Sequence, residues 1–319
     1  MEYKNIADIK KPVSRIVFGT AISAMMRGEH VHKLLDEVFA AGVNTFDLAR
    51  NYGFAERQMG EWMAARGNRD RIVLLTKGAH PSEDFKESRV TPHAIREDLE
   101  ESLRMLQTDY IDIYLLHRDD PKVPVGPLVE TLNELREEGK IGIFGGSNWS
   151  CDRIDKANEY AYAHDMFGFQ VSSPAYSLAA QDDDPWGGGC VDLSGEAHRR
   201  DRAWYQEEGI EVFAYASLAH GFLSGKFRAD EAGRACKVLD DFAVKGYCSD
   251  ANFMRLKRAE SLAREKRVTI PQLALAWVLN QPLLPMAVCS ASTSKRMISN
   301  LKALDVKLTA EEIRWLSEG

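Results

Sequence analysis

Short apolar, often β-branched runs alternate along this chain with stretches in which apolar side chains recur every three or four positions. The runs are Arg15–Gly19, Val43–Asp47, Arg71–Thr76, Tyr110–Leu116, Ile141–Gly146, Gly168–Ser172, Ile210–Tyr215 and Pro285–Cys289, and each reads as a buried strand. Between them the period is helical: Val31, Leu34, Leu35 and Val38 fall on one face, and Gly42 is placed to stop that helix. Thr91 followed by Pro92 reads as an N-cap and a first helical residue. Thr269 with Gln272, and Thr309 with Glu312, have the spacing of a capping box.

Eight strand–helix units predict parallel strands joined by crossover helices, either closed into a barrel or open as a doubly wound sheet. An open dinucleotide-binding sheet calls for G-x-G-x-x-G after its first strand, and VFGTAISAMMRG lacks that spacing. Polar residues instead stand at the C-terminal ends of many strands: Asp47, Lys77, His117, Ser147 with Asn148, Gln170 and Ser217. In a (β/α)8 barrel these ends converge on the face that carries active sites. The predicted fold is therefore an α/β TIM barrel forming one domain over residues 1–319. It has two long loops, Pro174–Gly195 and Ala219–Ser249, and a C-terminal helix from about Thr309.

Composition narrows the function classes. The chain is 45% hydrophobic and 28% charged, as expected of a globular protein with a large core. Its longest apolar run, Leu273–Leu279, is far short of the roughly twenty residues of a membrane span. The opening MEYKNIADIK has no apolar signal region, so a cytoplasmic protein is expected. With 41 basic and 48 acidic residues interspersed, the net charge is −7, which argues against nucleic-acid or membrane partners. Cys151, Cys190, Cys236, Cys248 and Cys289 are odd in number and scattered, so they read as reduced thiols. No metal site is expected, because the His30–His32 pair falls in the first helix rather than at a strand end.

Four reactive side chains follow three consecutive strands: Asp47 and Tyr52 in FDLARNYG, Lys77 in LLTKGAH and His117 in LLHRDD. A cation beside a tyrosine favours the phenolate and draws its pKa down. Lys77 supplies that cation, Asp47 keeps it charged and oriented, and His117 can donate a hydrogen bond to a carbonyl oxygen as it gains negative charge. Together they make a proton donor for a developing alkoxide. Asp119 and Asp120 are adjacent and point apart, so a turn, solvated or paired with arginine, fits them better than an acid/base pair. A glycosidase requires two flanking carboxylates and a metal hydrolase a ligand cluster, and the strand ends offer neither. GFLSGKF has the wrong glycine spacing for a phosphate-binding P-loop.

FDLARNYG, LLTKGAH, LLHRDD and GGSNWS, in this order, resemble the aldo-keto reductase superfamily, and its potassium-channel β-subunit-like branch more than its aldose reductase branch. The resemblance runs from FGT near the first strand to SASTSKRMISNL near the C-terminus. It implies carbonyl reduction by NADP(H), with NAD(H) as an alternative, on a (β/α)8 barrel. It makes Tyr52 the general acid, Lys77 and Asp47 its tuning pair, and His117 the residue that orients the carbonyl. It also implies cofactor contacts from Gly19 and Thr20, from Ser147, Asn148 and Gln170 to the carboxamide, and from Tyr215 stacked on the ring. Ser217, Leu218, Ser224 and Lys226 match the pyrophosphate segment. Ser290, Ser292, Arg296 and Asn300 match the adenosine end, with Arg296 on the 2′-phosphate. Leu48 stands in place of the family's usual Thr, Ser290 in place of a Lys and Ser299 in place of a Glu, and the last two changes weaken strict NADPH preference. Trp149 and Trp186 are candidates for the substrate wall, with Trp186 equally a plug for its own loop. A second reading is a cofactor-binding regulatory barrel that acts through a partner, as channel β-subunits do. The small-molecule substrate and any homo-oligomer are left open.

Overall fold

The computed structural model describes residues 1–82, 87–186 and 188–318. Among these, a short hairpin of β1 (Tyr3–Lys4) and β2 (Val13–Ser14) precedes eight parallel strands that close into a barrel in the order β10-β3-β4-β5-β6-β7-β8-β9. The barrel strands are β3 (Ile16–Gly19), β4 (Thr45–Asp47), β5 (Val73–Gly78), β6 (Ile111–Leu116), β7 (Ile141–Ser147), β8 (Val171–Ser173), β9 (Glu211–Ala214) and β10 (Met286–Cys289). The helices are α1 (Ser23–Met26), α2 (His32–Ala40), α3 (Ala55–Arg66), α4 (Pro92–Leu106), α5 (Val125–Glu137), α6 (Cys151–Ala163) and α7 (Arg199–Glu208). They continue as α8 (Ala232–Val238), α9 (Asp241–Tyr247), α10 (Asp250–Lys266), α11 (Ile270–Leu279), α12 (Ser294–Leu301) and α13 (Ala310–Glu318). None of the described helices is long and apolar enough to cross a membrane.

The helix starts follow the capping chemistry in the sequence. Thr91 accepts the Ala94 N–H at 3.2 Å, with Pro92 as the first helical residue of α4. Thr269 and Gln272 form the reciprocal capping box of α11, and Thr309 and Glu312 do the same before α13. Val31 precedes α2, which buries Leu35 and Val38, and His30 also lies outside it, so of the His30–His32 pair only His32 is helical. The hairpin has no counterpart in the predicted pattern, because two-residue strands are too short to leave a period. The segment Ala219–Ser249 is also more structured than a loop: it carries α8 and α9, and Asp240 caps α9 by accepting the Ala243 N–H at 2.8 Å. In Pro174–Gly195, Gly187 lies outside the described residues.

Packing divides the chain into two compact units that interleave in sequence. The first comprises residues 1–173, 209–211 and 290–297, and it holds β3 to β8. Its interior is a layer of fully buried aromatics in which Phe18 meets Phe46 edge-on at 6.0 Å and Phe46 meets Trp62 at 5.7 Å. Close approach of β7 to β8 depends on Gly145, where a Cβ would lie 1.7 Å from the Val171 carbonyl oxygen. The second unit comprises residues 174–208, 212–289 and 298–319. Its core includes α11, whose residues from Gln272 to Leu279 are all buried.

Candidate active site

The site forms in the first unit, where successive strands end at matched heights. Gly19 pairs with Asp47, Asp47 with Leu75, and Lys77 with Leu115, so the ends of β3 to β6 present their last residues side by side. Asp47 closes β4 and Lys77 lies one residue from the end of β5; both are buried. The Lys77 ammonium donates to Asp47 Oδ1 at 2.5 Å and to the Leu48 carbonyl at 2.8 Å. Leu48 is itself fully buried, which fits a packing role for an apolar residue at this position. Burial pushes the Asp47 carboxyl upward against the pull of Lys77. For Lys77 burial acts downward, but the combined attraction of Asp47 and Tyr52 prevails and holds the ammonium above its ordinary value.

Tyr52 lies in the turn between β4 and α3. Its backbone N–H bonds the Ala49 carbonyl at 3.0 Å, and two residues on, Phe54 bonds the Met26 carbonyl at 3.1 Å. Gly53 makes this turn possible. Its φ is +55°, and a Cβ there would stand 2.4 Å from the Met26 oxygen. The turn brings the Tyr52 ring to 5.2 Å from the Lys77 ammonium and edge-on to the His117 ring at 5.7 Å. The structure thus brings together all four residues that the sequence singled out. It changes one electrostatic expectation: Lys77 does draw the Tyr52 hydroxyl down, but burial outweighs it and the phenol stays above its ordinary value of 10.0. His117 is buried, and burial, followed by the cations Lys77 and Arg118 and the neighbouring His80 ring, holds it well below the ordinary 6.5, so its ring is neutral. Its Nδ1 has no hydrogen-bond partner among the described residues.

Around the four residues, Thr20 donates its hydroxyl to the Asp47 carbonyl at 2.8 Å, and Ser290 donates to the Gly19 carbonyl at 2.8 Å. Ser147 ends β7 and donates to the Ser173 carbonyl at 2.9 Å, while the Asn148 amide donates to Ser147 Oγ at 3.2 Å. Ser292 and Arg296 are exposed, with the guanidinium 3.5 Å from the Ser292 hydroxyl.

Gln170 is placed differently from expectation. β8 begins at Val171, and its register sets Val171 against Gly145 and Ser173 against Ser147. Gln170 therefore stands at the N-terminal end of its strand, about 10 Å below the level of Ser147 at roughly 3.3 Å per residue. Its amide donates to the Gly168 carbonyl at 3.4 Å. Ser173 occupies the C-terminal end instead. Trp149 is also corrected as a candidate pocket wall: it is fully buried, bonded to the Arg118 carbonyl at 3.2 Å and packed on Phe169 at 5.0 Å. Asp119 forms a two-pronged ion pair with Arg153 at 2.8 and 2.9 Å, the arginine-paired turn that adjacent aspartates suggest.

Sequence reasoning missed His80. Its ring lies 4.8 Å from that of His117, and burial lowers its pKa. Ala79, at φ +56°, turns the chain just beyond Lys77. The only signal was the position of His80 three residues beyond Lys77.

Within the second unit, Tyr215 and Leu218 are half-buried and Ser217 is buried, its hydroxyl donating to the Ala214 carbonyl at 2.8 Å. Ser224 Oγ is buried without a hydrogen-bond partner among the described residues, between Gly221 at φ +95° and Gly225 at φ +75°, and Lys226 is exposed just beyond. Asn300 is buried with its amide toward Cys289 Sγ at 4.0 Å. Ser299 accepts the Gln272 amide through both its carbonyl and its hydroxyl, at 2.8 and 3.1 Å. Trp186 packs on His220 at 5.0 Å and Phe242 at 5.6 Å, which favours its role as a plug for its own loop.

A family model described as the aldo/keto reductase family matches residues 15–318. The chain belongs to the aldo/keto reductase family. Among its relatives, the aldo-keto reductase YhdN of Bacillus subtilis is 31% identical, over 91% of this chain and 85% of that protein. The oxidoreductase YrpG of the same organism is 27% identical over 100% of this chain and 95% of its own. A probable voltage-gated potassium channel subunit beta of Oryza sativa is also 27% identical, over 96% and 92%. Family membership makes the chain an oxidoreductase and gives the Asp47, Tyr52, Lys77 and His117 cluster a chemical context.

Proposed function

We propose that this aldo/keto reductase reduces an aldehyde or ketone to an alcohol, or runs the reverse oxidation, with Tyr52 as general acid and NADP(H) as preferred cofactor. The observation that carries the reading is the Lys77 ammonium, buried between Asp47 Oδ1 at 2.5 Å and the Tyr52 ring at 5.2 Å. A cation so deeply placed has little structural purpose, whereas it stabilises a phenolate formed beside it.

The residues also fit a nicotinamide dinucleotide. A buried serine hydroxyl without a partner among the described residues at Ser224, flanked by two left-handed glycines, has the chemistry of a phosphate contact. Ser147, at the end of β7, and Asn148 beside it are the candidate carboxamide contacts, and Arg296, exposed on α12, is the candidate cation for a 2′-phosphate. When bound, the cofactor supplies or accepts the hydride.

The protein supplies the rest. The neutral His117 ring holds the substrate oxygen by a ring N–H hydrogen bond, and being uncharged it orients the carbonyl without itself competing for the proton. Tyr52, kept protonated by burial, gives its hydroxyl proton to the oxygen as negative charge builds there. The Lys77 ammonium stabilises the resulting phenolate, and Asp47 fixes the ammonium in place. The test is a steady-state screen of aldehydes, ketones and oxidised sugars with NADPH and NADH. Turnover with at least one carbonyl, faster with NADPH, supports the reading. Cofactor binding without consumption across the panel would favour the partner-directed role suggested by the channel-subunit relative.

A further inference from the structure

A cavity of about 940 Å³ opens in the second unit, among α7, α10, α11 and α13, and none of its lining residues belongs to the site above. Its size is that of a small-molecule pocket, for which about 300–1,000 Å³ is usual. The charge of its wall is unusual for a chain of net charge −7: Arg199, Arg202, Arg255, Arg258 and Arg314 line it against two glutamates. One of these, Glu196, is engaged by Arg199 at 2.9 Å.

The deeper arginines converge and have no carboxylate partner among the described residues. Arg255 Nε and Arg258 Nη2 both donate to one oxygen, the Ser317 carbonyl, at 3.1 and 3.3 Å. Their other bonds also go to neutral oxygens, Arg255 to Asn252 Oδ1 at 2.8 Å and Arg258 to the Leu316 carbonyl at 3.2 Å. Both guanidinium groups are half-buried, and burial together with Arg255 depresses the Arg258 pKa. Arg202 spends only Nη1, on the carbonyls of Leu193 and Gly195, both at 2.6 Å. Each of the three keeps N–H groups unspent.

At the base, Tyr176 is 1% exposed and its hydroxyl has no hydrogen-bond partner among the described residues, although it lines the cavity. A buried donor left unpaired costs free energy that a ligand oxygen would restore. Its ring meets Trp277 edge-on at 5.3 Å, and the Trp277 indole N–H reaches Ser317 Oγ at 3.1 Å, so the aromatic base and the arginine pair adjoin. Met254, 52% exposed, supplies apolar surface at the wall.

We infer that this cavity is a second ligand site, taking an organic phosphate whose anionic head engages Arg202, Arg255, Arg258 and the Tyr176 hydroxyl while its apolar body lies along Trp277 and Met254. Two converging guanidinium groups, with Arg202 acting on the Tyr176 hydroxyl in the same wall, suit a doubly charged, three-oxygen head better than a carboxylate. The site stands independently of the reaction proposed above, because binding is read without turnover.

The test is calorimetric titration of the purified chain with 1-naphthyl phosphate, 1-naphthoate and inorganic phosphate. Saturable binding of naphthyl phosphate is expected, with the other two at least about tenfold weaker. Arg258→Gln should weaken it by about tenfold or more, the range of a charge-assisted hydrogen bond. Since Arg258 also caps α13, Tyr176→Phe provides a milder check and should weaken binding several-fold without altering the fold. The inference is overturned if naphthyl phosphate does not bind saturably, or if naphthoate or inorganic phosphate binds as tightly. It is overturned equally if Tyr176→Phe and every folded Arg258 variant bind like the parent, which would place the ligand elsewhere.

Discussion

At the residue scale, the site is governed by competition between burial and a single cation. Lys77 and Asp47 have side chains 3% and 6% exposed, so each charge depends on the other for compensation. Truncating one partner strands its mate: Asp47→Ala should destabilise the fold by about 3–5 kcal/mol, measured by chemical denaturation. The direction of each pKa sets the pH behaviour. Reduction needs the protonated phenol, so its rate is present below the Tyr52 pKa and lost as pH rises through it. Burial holds that pKa above 10.0, so kcat/KM for reduction should stay level up to about pH 9. His117, held well below 6.5, should add no inflection near that value. An alkaline fall beginning near neutrality would show that Lys77 outweighs burial after all. These identities were legible in the sequence, because Asp47, Lys77 and His117 each fall at or beside a strand end. The outcome of the competition was not, since burial of the phenol and nearby charges such as Arg118, which draws it down, come from the packed fold and no spacing rule reveals them.

At the element scale, strands and turns act as jigs that need glycine at two points. Gly145 lets β7 approach the Val171 carbonyl of β8, and any Cβ there would overlap that oxygen at 1.7 Å. Gly145→Ala should therefore be among the most damaging single changes in the chain, read as loss of cooperative unfolding or of soluble protein. Gly53→Ala is subtler: left-handed backbone and the nearby Met26 oxygen should cost about 1–3 kcal/mol and shift Tyr52. Its turnover should fall while the stability loss stays modest, which a parallel melt and rate measurement would establish. The helix caps at Thr91, Thr269 and Thr309 were readable because capping is local chemistry. Gln170 misled for the opposite reason: an apolar run fixes the presence of a strand better than its ends, and Gln170 stands three residues before Ser173, the residue that ends β8. In a parallel strand that offset exchanges the N-terminal end of the strand for the functional one.

At the scale of the whole molecule, the strand–helix alternation narrowed the fold to a closed barrel or an open doubly wound sheet, and the polar strand ends with the missing G-x-G-x-x-G selected the closed eight-stranded barrel that the structure has. Neither could specify what the long segments do. α8 and α9 within Ala219–Ser249 are seven residues each, too short to leave a clear helical period. The arginine-lined cavity was equally hidden, because its cations come from α7, α10 and α13, far apart in sequence, each resembling an ordinary solvated helix charge. A chain that is acidic overall thus concentrates basic groups where the fold assembles them. The central claim is that Tyr52, tuned by Lys77 and Asp47, delivers the proton that completes carbonyl reduction. Its most direct test is Tyr52→Phe, assayed for NADPH-linked carbonyl reduction alongside cofactor binding by fluorescence quenching. The account predicts a rate loss of at least about a hundredfold with cofactor affinity essentially retained. Turnover close to that of the parent chain would contradict it.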